Sequence, residues 1–174
     1  MNNKYIEVKN SGIHRHGVFA KIDIPKETKI VEYIGEKISA EEGERRHERG
    51  TENHLKDPEN NAGTYIFILD DDVYLDGDIP ENDAKYINHS CEPNCEIDIK
   101  DKRIWIHSLR DIKKGEEITY NYGFELYDDD PYFFKKHPCK CGSKNCPGYI
   151  LSEEEWPKMR ELLKAEAKKG DKHN

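Results

Sequence analysis

The chain is 174 residues long, enough for one domain with a small appendage and for a core that needs no disulfide staples. Charged residues make up 37% and hydrophobic ones 34%, but ten Tyr, five Phe and two Trp exclude wholesale disorder and predict a small, aromatic-rich core. The formal net charge of -8 excludes a chain that coats nucleic acid by bulk attraction; it favours approach of a basic, Lys/Arg-rich partner, although a merely solvated acidic surface explains the charge as well.

Residues 1–20 hold no apolar run of signal-peptide length, and no segment has the apolar stretch a membrane span requires, so a soluble, intracellular protein of cytoplasm or nucleus is expected; a monomer is expected separately. IEVKN (6–10) and GVFAKIDI (17–24) read as strands on either side of SGIHRH, a loop in which Gly12 and Gly17 permit tight geometry. TKIVEYIGEKI (28–38) is again rich in strand formers, with a bend expected at Gly35. Ser39 is an N-cap candidate for a charged, exposed helix that gives way to loop before Lys56. TYIFILDDDVYLDG (64–77) predicts two strands joined by an Asp turn, and RIWIHSLRDI (103–112) alternates as a strand does before the turn at 113–115 and EEITYNYGF. At the end, Ser152 and Glu155 have capping-box spacing for a C-terminal helix with a break point at Pro157. The sum is a mainly β fold with short helices.

Two stretches fit none of these elements. KYINHSCEPNCEID (85–98) is too polar for a core strand, and CKCGSKNC packs Cys139, Cys141 and Cys146 into eight residues. Thiolates suit tetrahedral zinc, and three local cysteines need one remote fourth, Cys91 or Cys95, to close a structural site; His137 is ranked as a surface residue. Five cysteines, an odd number, fit thiols kept reduced for metal binding.

Read together, NHSCEPNC, EEITYNYGF and CKCGSKNCPGYI, with GVFA (17–20), VEYIGE (31–36) and TYIFILD (64–70), make the chain resemble the SET-domain protein lysine methyltransferases, most closely the trithorax-like members with a zinc-binding post-SET tail. The resemblance implies a SET β-fold with a pseudoknot over residues 1–127, a post-SET zinc segment over 128–150, and a C-terminal helix and tail over 151–174. It implies one structural zinc on Cys91, Cys139, Cys141 and Cys146, leaving Cys95 over. It also implies S-adenosylmethionine on one face and a substrate lysine, from a histone or another basic protein, entering from the opposite face.

Methyl transfer is an in-line displacement that requires a neutral lysine, whereas an ordinary lysine, with a pKa of about 10.4, is neutral in only roughly one molecule in a few thousand at pH 7. The motifs offer no general base, so the resemblance gives the work to aromatic groups that hold and orient the nitrogen. Tyr122 is the main catalytic tyrosine, Tyr33 a channel residue, and Tyr120 occupies the position where Tyr, unlike Phe, favours monomethylation. His14, His16, Tyr65, Asn88, His89, Lys140 and Phe124 are the expected cofactor contacts. The chain departs from the family pattern at Arg15, where the loop usually has glycine, at Asn121 in place of Asp, at Lys85 in place of Arg, and at Pro147 after the last cysteine. A SET-like module that binds a basic peptide without turnover is the alternative, and methyl transfer discriminates the two. A plain zinc-stabilised interaction domain is the third reading, with packing on its own body the expected role of the C-terminal helix.

Overall fold

The computed structural model describes residues 3–57 and 63–170. In chain order these form β1 (Ile6–Asn10), β2 (His16–Ala20), β3 (Lys29–Tyr33), β4 (Glu36–Ser39), α1 (Ala40–Lys56), β5 (Ile66–Ile68), β6 (Val73–Asp76), β7 (Asn88–His89), β8 (Cys95–Lys100), β9 (Arg103–Ser108), β10 (Glu117–Tyr120) and α2 (Trp156–Gly170). The strands make three sheets, ordered β1-β2-β10-β7, β3-β9-β8 and β4-β6-β5. None of the described helices is long and apolar enough to cross a membrane.

The chain divides into two compact units: residues up to Asn88 together with Asn94–Ile118, and His89–Pro93 together with the residues from Thr119 onward. In the first, period-2 burial is clean along β9, where Ile104, Ile106 and Ser108 are buried while Arg103 is exposed. Ile6, Val18, Ile24, Ile30, Ile112 and Ile118 complete a β-branched core, each such side chain contributing about 1.5–3 kcal/mol by leaving water.

The strands of 6–10, 64–77 and 103–112 lie where the sequence predicts them, and the 28–38 run is divided into β3 and β4 on either side of Ile34 and Gly35. β8 is a strand that the polarity of its neighbourhood conceals. It pairs with β9 from Cys95↔Ser108 to Lys100↔Arg103 through a tight turn in which Asp101 and Lys102 adopt φ of 52° and 54°, the left-handed pair a two-residue hairpin demands.

Ser39 caps α1 by accepting the Glu42 amide at 3.3 Å. The helix then runs to Lys56 with no loop before its end. Apolar anchors do not hold it. Gly43 lies against the Tyr74 ring so closely that a Cβ there would overlap it, and Arg46 bonds Glu42 one turn back at 2.7 Å, Glu36 at 2.8 Å and Asp76 at 2.6 Å.

In the second unit, Phe134, Leu151, Trp156 and Met159 form a buried cluster with Cys91, and Leu162 and Leu163 of α2 pack against it. The helix therefore packs on its own unit. The capping box does not form: Ser152 takes the Glu155 amide on its carbonyl at 3.1 Å, and its hydroxyl makes no capping bond. A short 3-10 turn precedes α2, which places Pro157 in the first helical turn, where its missing N–H leaves no bond unmade and causes no break.

Candidate functional site

Four cysteines converge in the second unit. Cys91 Sγ lies 3.7 Å from Cys139 Sγ and 3.6 Å from Cys146 Sγ, and all four Sγ atoms, Cys141 included, are within 4.8 Å of one another. Sulfurs about 2.3 Å from a tetrahedral zinc are separated by about 3.8 Å, so the donor set and its spacing fit that ion. Burial and the neighbouring thiols push Cys91 up and burial pushes Cys139 up to about 12, so a cation is what allows these groups to be thiolates together. At Cys141 burial also acts upward, but the Cys91 amide and the Ser143 hydroxyl and amide outweigh it and bring the thiol down to about 6. Gly142, at φ 72°, lets the chain turn between the cysteines, and Ser143 Oγ lies 3.2 Å from both Cys141 Sγ and Ser90 Oγ.

Cys95 takes no part in this cluster. It is buried at the start of β8, and burial pushes its thiol up to about 12, which makes it an inert core residue. His137 is not the surface residue expected: it is half-buried, with its ring 5.5 Å from Phe124 and 5.0 Å from Phe133.

His89 joins the thiolate centre to the aromatic residues. Its Nδ1 accepts the Tyr122 amide at 3.2 Å, so the neutral ring carries its proton on Nε2, and Nε2 lies 3.4 Å from Cys91 Sγ. Burial brings His89 down to about 4, which keeps the ring neutral. Tyr120 is buried with its ring 5.2 Å from that of Tyr122, which is half-buried and 5.9 Å from Phe124. This run of aromatic faces suits an alkylammonium group. Asn121 Oδ1 accepts the Gly123 amide at 2.9 Å, a turn that an aspartate oxygen would close equally, so the departure at 121 leaves the local geometry intact. Lys140 is exposed between Cys139 and Cys141.

The remaining site residues lie in the first unit. Asn88 donates to His16 O at 2.9 Å and to Glu117 Oε1 at 2.7 Å, so it braces the 11–16 loop. Ser11 Oγ donates to the same Glu117 oxygen at 2.7 Å, and a Cβ at Gly17 would overlap it. Glu117 is a positioning residue that sequence reasoning missed; the only signal was an acidic side chain on a strand ending in the YNYG motif. His16 is exposed, 5.5 Å from the Tyr86 ring, and His14 is half-buried in the same loop. Tyr65 is half-buried, and burial pushes its hydroxyl up to about 12. Tyr33 is buried, with its hydroxyl donating to Tyr65 O at 3.0 Å, its ring edge-on to Phe67, and Gly77 so close that a Cβ would overlap the ring. The structure thus gathers His14, His16, Tyr33, Tyr65 and Asn88 in one unit, and His89, Tyr120, Tyr122, Phe124, Lys140 and the four zinc-type cysteines in the other.

With this geometry in hand, comparison with known proteins is informative. The SET domain family model matches residues 15–123. The chain is 42% identical over 149 residues to the histone-lysine N-methyltransferase trr of Drosophila melanogaster, covering 83% of this chain and 6% of that protein. It is 40% identical over 154 residues to histone-lysine N-methyltransferase set-2 of Caenorhabditis elegans, covering 84% and 9%, and 36% identical over 144 residues to the H3 lysine-4 specific histone-lysine N-methyltransferase of Saccharomyces cerevisiae, covering 80% and 12%. The chain belongs to the SET-domain family. It spans only a small fraction of the length of these relatives.

Proposed function

We propose that this chain is an S-adenosylmethionine-dependent protein-lysine N-methyltransferase that adds one methyl group to a lysine of a basic protein such as a histone. The observation that supports it most directly is the Tyr120, Tyr122 and Phe124 run, fixed by His89 to the thiolate centre, in a chain of the SET-domain family. When bound, S-adenosylmethionine supplies an electrophilic sulfonium methyl. The chain's own residues do the rest. The half-buried Tyr122 presents an aromatic face to the cationic lysine stem and a hydroxyl that orients its nitrogen. Burial around it lowers the lysine's affinity for a proton, which leaves through water. The buried Tyr120 hydroxyl holds space that a dimethylated nitrogen would need. Cys91, Cys139, Cys141 and Cys146 hold one structural zinc, and the stretches 1–127, 128–150 and 151–174 act as catalytic domain, zinc segment and supporting helix.

The test is incubation of zinc-loaded protein with labelled S-adenosylmethionine and a panel of basic proteins, with product lysines mapped by mass spectrometry. Monomethyl-lysine is expected as the main product. Absence of any labelled lysine would sink the proposal.

A further inference from the structure

Three consecutive residues of the NHSCE stretch each reach the CKCGSKNC loop within the second unit. Cys91 brings its sulfur to the cluster, and the residues on either side of it make side-chain contacts: Ser90 Oγ lies 3.2 Å from Ser143 Oγ, and Glu92 Oε1 accepts from Asn145 Nδ2 at 2.8 Å. Neither of these outer contacts uses a sulfur. The two segments are therefore matched to each other by more than their thiols.

Ser90 and Ser143 also lie on a hydrogen-bonded chain that ends at a sulfur. The Glu92 amide donates to the buried Ser90 Oγ at 3.1 Å, and Ser143 Oγ stands between Ser90 Oγ and Cys141 Sγ, 3.2 Å from each. An amide N–H can only donate, and a metal-bound thiolate, having lost its proton, can only accept. Between those two ends a single orientation of the hydroxyls satisfies every member: Ser90 donates to Ser143, and Ser143 donates to Cys141.

Such a donor answers a problem of charge. Four thiolates around one divalent ion leave net negative charge in a partly buried place, and donors aimed at the sulfurs disperse it. His89 Nε2 does this for Cys91, and the Gly148 amide, 3.4 Å from Cys146 Sγ, does it for that sulfur. We infer that Ser143 is the hydroxyl donor to the Cys141 thiolate, and that Ser90 is a positioning residue which orients and strengthens that bond from the other side of the cluster. The assignment rests on the structural zinc proposed above. It makes two serines that ligate nothing determinants of how tightly the metal is held.

The test uses the full chain in two measurements: zinc affinity by competition with a chromogenic chelator, and the thiolate-to-metal charge-transfer band after loading with cobalt(II). Ser143→Ala is expected to weaken zinc about tenfold and to move the band to longer wavelength, because a sulfur that loses a donor gives its electrons more readily, whereas Ser143→Thr, which keeps the hydroxyl, holds both near wild type. Ser90→Ala is expected to weaken zinc about two- to fourfold on its own and to add nothing in the Ser143→Ala background. Equal weakening by Ser90→Ala in both backgrounds would overturn the relay, and a Ser143→Ala protein with the wild-type band position would make Ser143 merely structural and overturn the inference. A wild-type protein that binds neither zinc nor cobalt would instead overturn the zinc reading, and this assignment with it.

Discussion

His89 Nε2 lies 3.4 Å from Cys91 Sγ, close enough for the imidazole to donate to the sulfur, while the far side of the ring accepts the Tyr122 amide. A ligand's hydrogen-bonding partner commonly alters metal affinity about 10–100-fold. His89→Phe is therefore expected to weaken zinc by roughly that factor in competition with a chromogenic chelator, and His89→Gln, which keeps a donor, to recover part of it. Equal zinc affinity in all three proteins would show that the contact does not tune the metal.

Cys91→Ser and Cys95→Ser should separate cleanly. The first is expected to lower the zinc content from one per chain to a substoichiometric value, because three local thiols leave the tetrahedron open. The second should retain one zinc but lose about 1–3 kcal/mol of stability in denaturant titration, since it buries a hydroxyl in a site that holds a thiol. Loss of metal in the Cys95 variant would contradict the assignment.

Tyr120 and Tyr122 differ in exposure, and their hydroxyls are assigned different tasks. Tyr120→Phe is expected to shift the product from mono- to di- and trimethyl-lysine with turnover preserved, and Tyr122→Phe to lower the rate at least tenfold with little effect on zinc content. Mass spectra of the product peptide read the first, and initial rates the second. A product distribution unchanged in Tyr120→Phe would remove the basis for the monomethylation proposal.

Tyr33 gives a prediction of stability. Its hydroxyl bonds Tyr65 O, so Tyr33→Phe should cost about 1 kcal/mol, whereas Gly77→Ala, which forces a methyl into the Tyr33 ring, should cost about 1–3 kcal/mol. Chemical denaturation of both variants tests this ranking. Gly77→Ala proving the milder change would mean that the ring yields easily.

Much of this organisation was legible because its signals are local. Ser39 has the side chain of a cap, the Asp70–Asp72 run has turn chemistry, and three cysteines in eight residues announce a metal. What stayed hidden depends on partners distant in sequence. α1 outlasts its weak apolar content because Arg46 reaches Asp76 on β6, a bond no helical periodicity records. β8 is concealed because Ile97 and Ile99 alternate with charged residues beside a loop rich in unusual chemistry. Glu117 was invisible for the same reason: its role exists only because Ser11 and Asn88 meet on one of its oxygens.

The spacing of the thiols also bears on the order in which the protein assembles. Cys91 is 48 residues from Cys139, whereas the other three cysteines fall within eight, so completing the tetrahedron closes a much longer loop at an entropic cost roughly 1.5–2 kcal/mol greater than the local closure. The C-terminal triad is therefore expected to hold an ion early, with the fourth bond a late event that registers whether the middle of the chain has arrived. In refolding with a cobalt substitute, the three-thiolate spectrum should precede the four-thiolate one; simultaneous appearance would argue against this sequence of events. A zinc held by these four cysteines would then serve as a checkpoint on chain assembly as well as a brace for the finished fold.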